Sequence, residues 1–293
     1  MSKFPIIEVF TSIQGEGMFM GVPSVFVRVS GCNLRCIFQN SICDTPYSSF
    51  APEKSKFTVK DVINEFVKYP NVEHLVITGG EPALYDIAGF LDEFEAEFRT
   101  LERNWPKITI ETNGSLPIKP DARVHLYSIS PKLSTSCVDQ ELLNNKDPKH
   151  IVEVYFGNSA VEIPVSQLQN HTKNRINIDI LAKTIRDNFL FGSDCQLKFV
   201  WSGSECESEI KDLIGKLAKQ IEEYQKSDKI SGSLYDIAFP EEYLNDCVYL
   251  MPEGETEEKI RESAQEAVGV CLRNGWKYTD RLHIRIWGNT RNK

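Results

Sequence analysis

The chain lacks a fourth clustered cysteine, a membrane-length apolar run and any excess of positive charge. No stretch of its 293 residues approaches the roughly 20 consecutive apolar residues that cross a bilayer. The opening MSKFPIIEVF has neither the apolar centre nor the small-residue cleavage site of a secretory leader. Together these lead to the expectation of a cytoplasmic protein with no membrane partner, where thiols stay reduced. Its 33 basic side chains are outnumbered by 42 acidic ones, for a net charge of −9. Nucleic acid is disfavoured as the main partner, because affinity for it rests on neutralising phosphates. A small anion in a local basic pocket remains compatible. No internal repeat or low-complexity tract is present.

What is there reads as an ordinary globular chain, 41% hydrophobic and 26% charged, long enough for one large α/β domain or two small ones. Seven segments have strand character: 24–30, 74–78, 107–112, 123–130, 195–201, 247–251 and RLHIRIW at 281–287. Helical periodicity lies between several of them. In TVKDVINEFVKY, Val59, Val62, Ile63, Phe66 and Val67 recur at helical spacing behind Thr58, a plausible N-cap. Segments 86–98, 208–224 and 256–275 behave likewise. The alternation argues for parallel βαβ units in a sheet or open barrel. Residues 134–190 break the rhythm and read as an insertion packed on a single domain spanning 1–293. Chemistry-bearing residues follow the C-terminal end of nearly every strand, which is where sites form in parallel α/β folds.

Three of the eight cysteines, Cys32, Cys36 and Cys43, fall within twelve residues in SGCNLRCIFQNSICDT. The other five are scattered, three of them in apolar patterns where Cys behaves as a small hydrophobe. Structural zinc takes four ligands, usually as CxxC pairs, and no second pair exists. Iron–sulfur clusters take thiolates. A four-iron cluster gripped by three cysteines leaves one iron open to a non-protein chelator.

CxxxC with a third nearby cysteine, followed by GGEP after the second strand, resembles the radical S-adenosylmethionine superfamily. More narrowly, SIQGEG, FVRVSGCNLRC, CDT, TGGEP, ETNG, SISPK, KFVW, MPEG and HIRIWGN occur in the order of the 7-carboxy-7-deazaguanine synthases. They cover nearly the whole chain apart from 134–190 and much of 202–246. One departure is plain: six residues, IFQNSI, separate Cys36 from Cys43 where the family usually has two. This leaves open whether Phe38 or Ile42 packs near the cofactor's adenine.

The resemblance implies a partial, open β/α barrel of the radical S-adenosylmethionine type. It implies a [4Fe-4S] cluster on Cys32, Cys36 and Cys43, and S-adenosylmethionine bound through Gly79, Gly80, Glu81, Asn113, Ser130, Lys132 and Met251. Glu111 is a further candidate near the ribose. Gln14, Glu16, Arg28 and His283 would hold a pterin substrate, with Arg285 beside His283 if 281–287 is a strand. Thr45 would ligate Mg2+ that also binds the substrate carboxylate; without the family match, Asp44-Thr45-Pro46 reads as a turn. The implied activity is a lyase reaction. It converts 6-carboxy-5,6,7,8-tetrahydropterin to 7-carboxy-7-deazaguanine with loss of ammonia, through a 5′-deoxyadenosyl radical, as a step towards 7-deazapurines such as queuosine. A flavodoxin or ferredoxin electron donor and a homodimer are further family expectations. Two alternatives share part of the pattern: a glycyl-radical activating enzyme, and an iron–sulfur electron carrier.

Overall fold

A computed structural model describes residues 4–38, 41–156, 159–227 and 240–292. Its elements begin with β1 (Ile6–Ile13), β2 (Pro23–Val29), a small ladder of β3 (Ile37–Phe38) and β4 (Ser41–Ile42), α1 (Pro46–Ser49) and α2 (Val59–Lys68). Then come β5 (His74–Gly79), α3 (Ile87–Phe98), β6 (Lys107–Thr112), β7 (Leu126–Ile129), α4 (Gln140–Leu143), β8 (Ile151–Phe156) and β9 (Ser159–Pro164). The remainder are α5 (Val165–Asn174), α6 (Ile178–Leu190), β10 (Asp194–Trp201), α7 (Glu205–Ser227), α8 (Pro240–Asp246), β11 (Val248–Pro252), α9 (Glu257–Asn274), β12 (Lys277–Tyr278) and α10 (Leu282–Trp287).

Eight strands form one sheet in the order β1-β2-β5-β6-β7-β10-β11-β12. Every neighbouring pair from β2 to β12 is parallel, and β1 runs antiparallel to β2 from Ile6 opposite Val29 to Ile13 opposite Pro23. Crossover helices cover the outer face, as parallel strands require. β10 illustrates the division of faces. Leu197, Phe199 and Trp201 are fully buried in the main hydrophobic core, while Gln196, Lys198 and Val200 alternate onto the other face. Phe66, Phe90, Phe94 and Phe98 pack between α2 and α3, with Phe66 and Phe98 meeting edge to face at 5.2 Å.

Helix ends follow local chemistry. Thr58 caps α2 in a box with Asp61, whose carboxylate accepts the Thr58 N–H at 2.7 Å. Thr256 opens α9, and Gly275 closes it in the left-handed region at φ 71°. Val67, expected on the apolar face of α2, is instead 59% exposed. Two sequence expectations change. β1 had not been anticipated, and SIQGEG (12–17) begins in its last two residues, Ser12 and Ile13. RLHIRIW is no strand; residues 282–287 form α10. Its buried positions are Arg281 and Ile284, three apart, and Ile286 is exposed. Burying the Arg281 guanidinium fixes a helical turn where the alternation of isoleucines suggested period two.

The 134–190 stretch divides in two. In α6, Leu181, Ala182 and Ile185 join the main core, so α6 is the crossover helix between β7 and β10. The hairpin β8–β9 and α5 lie outside the sheet, β8 against β4.

His74 at the start of β5 is buried between Ser24 and Thr109, each 2.8 Å from a ring nitrogen. Burial, with Lys107 and His125 nearby, pushes its pKa down to about 4. The folded state therefore holds it neutral while the unfolded chain protonates near 6.5. Stability is full above the unfolded value and falls as pH drops through the window from 6.5 to 4. Between pH 7.5 and 5.5 this one group removes about 1.3 kcal/mol. Urea unfolding at the two pH values should show a shallower loss in His74→Asn than in wild type.

Candidate active site

One cavity of about 280 Å³ opens at the carboxyl ends of the parallel strands. Its lining includes Cys32, Cys36 and Cys43 after β2, Gly79 and Gly80 at the end of β5, Thr112 and Asn113 after β6, Ser130 and Lys132 after β7, and Met251 to Glu255 at the end of β11. Gln14, Glu16, Arg28, Thr45, Lys198, Arg281 and His283 line the same cavity. The rim pattern read from the sequence is therefore the wall of one space.

The thiols come first. Burial pushes the Cys32 pKa up to about 12, with Glu81 adding to the shift, and burial raises Cys36 further. Thiolates at such positions need a compensating cation, and an iron cluster supplies one. Among the described residues no three His, Cys, Asp or Glu side chains converge on a single ion. Three thiols around a shared cavity suit a cube, whose corners are separate irons, better than one metal ion. The residues thus fit a [4Fe-4S] cluster, with Cys32, Cys36 and Cys43 to hold it. Cys43 N–H donates to Cys36 O at 3.1 Å and closes the loop despite the long spacing. Two of the six intervening residues, 39 and 40, lie outside the described residues. Both Phe38 and Ile42 line the cavity.

The glycines next to it are needed for close approach. A Cβ on Gly80 would overlap the Gly31 carbonyl, and Gly79 sits at φ 128°. Glu81 departs from expectation. Its carboxylate is fully buried and does not line the cavity. It accepts from Thr112 Oγ1 at 2.6 Å, Asn113 N–H at 2.7 Å and Ala83 N–H at 3.0 Å. These bonds let Glu81 shape the Thr112–Asn113 turn: Oε1 accepts twice and Oε2 once. Asn113 Nδ2 donates to Asn33 Oδ1 at 3.0 Å, and Lys132 Nζ donates to Ser130 Oγ at 2.8 Å, so both side chains face the space beside Cys32.

The rest of the cavity is a network of buried charge. Glu16 pairs with Lys198, and with Arg281 Nε at 3.3 Å. Burial raises its pKa, but Lys198, Arg281 and His283 outweigh that and hold it well below the carboxylate range. Arg281 also donates to Gly254 O at 2.6 Å and pairs with Asp44. Asp44 is thereby occupied, which leaves Thr45, its hydroxyl 3.4 Å from Cys43 Sγ, as the neighbouring oxygen donor. Gln14 Nε2 donates to Glu111 Oε1 at 3.0 Å, and Glu111 Oε2 accepts from Thr78 at 2.6 Å. Arg28 is bound to Glu8 at 2.6 Å, and Arg291 reaches the same carboxylate. His283 packs on Gly15, where any Cβ would overlap its ring. Arg285 lies off the cavity, paired with Asp280 at 2.5 Å. Lys198 and Arg281 were not singled out in the sequence. Their signals were a lysine alternating with Gln196 in an otherwise apolar strand, and an arginine opening an apolar segment.

Residues 26–127 match the Radical SAM superfamily profile. A 7-carboxy-7-deazaguanine synthase of Halobacterium salinarum is 34% identical over 97% of this chain and 91% of its own length. The chain belongs to the 7-carboxy-7-deazaguanine synthase family. A synthase of Rhodopirellula baltica is 31% identical over 99% of this chain and 89% of its own. The crystal structure of QueE from Escherichia coli shares the fold with a TM-score of 0.50 at 17% identity, covering 96% of this chain and 94% of that one. The open α/β barrel expected from sequence is the fold of this family. Membership favours neither the glycyl-radical activase nor the electron carrier. No described helix is long and apolar enough to cross a membrane.

Proposed function

We propose that this protein converts 6-carboxy-5,6,7,8-tetrahydropterin to 7-carboxy-7-deazaguanine, losing ammonia. The single observation that carries the reading is the sharing of one cavity by three clustered thiols and the Glu16–Lys198–Arg281 network. When bound, the cluster and S-adenosylmethionine together supply reversible hydrogen-atom abstraction from C6 of the substrate.

The chain's own residues place and neutralise. Glu16 is held ionised and accepts N–H groups from the pterin edge, with Gln14 beside it. The neutral His283 ring, its pKa lowered chiefly by burial, closes over the same loop. Arg28 turns from Glu8 to the substrate carboxylate, and Arg291 keeps Glu8 neutralised when it does. Thr45 would hold Mg2+ through its hydroxyl, and the ion would supply positive charge towards the substrate carboxylate. Lys132 and Ser130 would hold the carboxylate and hydroxyls of the cofactor, Asn113 its ribose, and Met251 its adenine. Holding C6 within reach of the cofactor turns an encounter into a positioned step.

Family likeness further supports a flavodoxin or ferredoxin as reductant and a homodimer. A cytoplasmic setting goes with eight free cysteines. The test is anaerobic turnover with dithionite, S-adenosylmethionine, Mg2+ and the carboxypterin. The expected result is consumption of the pterin without stoichiometric loss of S-adenosylmethionine, and slower turnover when Mg2+ is omitted. An untouched pterin would sink the proposal.

A further inference from the structure

The helix outside the sheet touches both halves of the cofactor site. α5 and its C-cap carry Gln167, His171 and Arg175 at successive fourth positions, one stripe of a helix. Gln167 Oε1 accepts from Arg35 Nε at 2.8 Å. His171 Nδ1 accepts the Arg35 backbone N–H at 3.2 Å, and Arg35 directly precedes Cys36. On its other side, His171 Nε2 meets Ser136 Oγ at 3.1 Å, and that hydroxyl donates to Leu133 O at 2.6 Å. Arg175 donates to Lys132 O at 2.6 Å and to Glu209 at 2.8 Å. His171 is 1% exposed.

The proton positions follow. Nδ1 accepts a backbone N–H, so it carries no proton; Nε2 must then carry one and donate it to Ser136. Ser136 in turn passes its own hydroxyl hydrogen to Leu133 O. Every donor in the chain points one way, from the Arg35 N–H through the ring and the Ser136 hydroxyl to Leu133 O. Protonating Nδ1 would set two N–H groups against each other.

We infer that α5 is a brace, and that His171 is a positioning residue setting the cysteine loop against the Lys132 loop. The inference rests on the radical S-adenosylmethionine reading. That cofactor must reach the open iron and Lys132 at once, and Cys36 and Lys132 come from separate loops that share no β-ladder among the described residues. Residues 37–38 and the 134–136 turn meet directly, and α5 adds a side-chain tie to both loops. Loss of His171 removes the acceptor of the Arg35 N–H and frees the Ser136 side, and small misplacements in such sites are costly.

The experiment uses anaerobically reconstituted full-length protein: wild type, His171→Ala, His171→Asn, and the double variant Gln167→Ala/Ser136→Ala. Iron and sulfide content, thermal midpoint, and S-adenosylmethionine affinity from the electron paramagnetic resonance of the reduced cluster are read. His171→Ala should load iron as wild type does, yet bind S-adenosylmethionine about 10-fold more weakly, with an altered spectrum of the complex. His171→Asn, whose Oδ1 falls near the place of Nδ1, should recover to within about 3-fold. Wild-type affinity and spectrum in His171→Ala would overturn the brace, and so would an Asn variant no better than Ala. If His171→Ala does not fold, the double variant decides: weaker binding with full iron supports the brace, and unchanged binding overturns it. A wild-type cluster that ignores S-adenosylmethionine would instead overturn the underlying reading.

Discussion

Cys36→Ala protein, reconstituted anaerobically with iron and sulfide, should hold no intact cube and show turnover below roughly 10⁻³ of wild type. A cube already short of one protein ligand cannot spare another. Cys36 is the most buried of the three thiols, and its loop is closed by the Cys43 N–H to Cys36 O bond. With two thiolates the cluster would lose iron to chelators or collapse to a smaller form. Cys137→Ala is the matched control. Its thiol is near enough for its charge to be felt at Cys36, yet it does not line the cavity. That variant should keep four irons per chain, the S-adenosylmethionine-dependent spectral change and the wild-type rate. Iron loss in Cys137→Ala would mean that a fourth thiolate closes the cube, leaving no vacancy for the cofactor.

Glu16→Gln carries the second large effect. The substitution keeps shape and removes charge. Lys198 and Arg281 then remain buried with half their compensation gone. Breaking a buried pair from one side costs about 3–5 kcal/mol, less where a neutral amide still accepts a hydrogen bond. The pterin edge also loses a charged acceptor, and kcat/KM should fall by about 10²-fold or more. Stability and recognition separate in the double variant Glu16→Gln/Lys198→Met. Removing the orphaned cation should return the urea midpoint most of the way to wild type and leave kcat/KM low. If catalysis recovered together with stability, Glu16 would be a structural anchor with no part in binding the pterin.

The parallel strands β2, β5, β6, β7, β10 and β11 were readable because each is a short apolar run ended by glycine, proline or a polar turn; β12, only Lys277–Tyr278, was not anticipated. Those endings are the site, so the fold and the rim could be read together. β1 was harder, since Val9 to Ile13 are only half-buried and it turns directly into antiparallel β2 with no crossover α-helix between them. α10 misled because six residues are too few to separate period two from period three. The cysteine triad was legible from its clustering together with the GGEP that follows the next strand, despite the long Cys36–Cys43 spacing. The part Glu81 plays in holding the Thr112–Asn113 turn was not, because its three internal donors come from other segments of the chain or its own loop. Lys198 and Arg281 were hidden for a similar reason. Buried cations are recognisable only by their partners, and Glu16 lies 182 residues from Lys198 and 265 from Arg281. The role of α5 also depended on contacts far apart in the chain.

The two outer staves of this cask, β1 and β12, do not join. What spans the gap is the turn after β1: Gly17 N–H donates to Thr279 Oγ1 at 2.6 Å, and Gly15 O receives the Leu282 N–H at 2.9 Å. That turn is also where Gln14 and Glu16 reach inward. A guest seated there becomes a piece of the hull, and the vessel is tightest against water and oxygen when it is full.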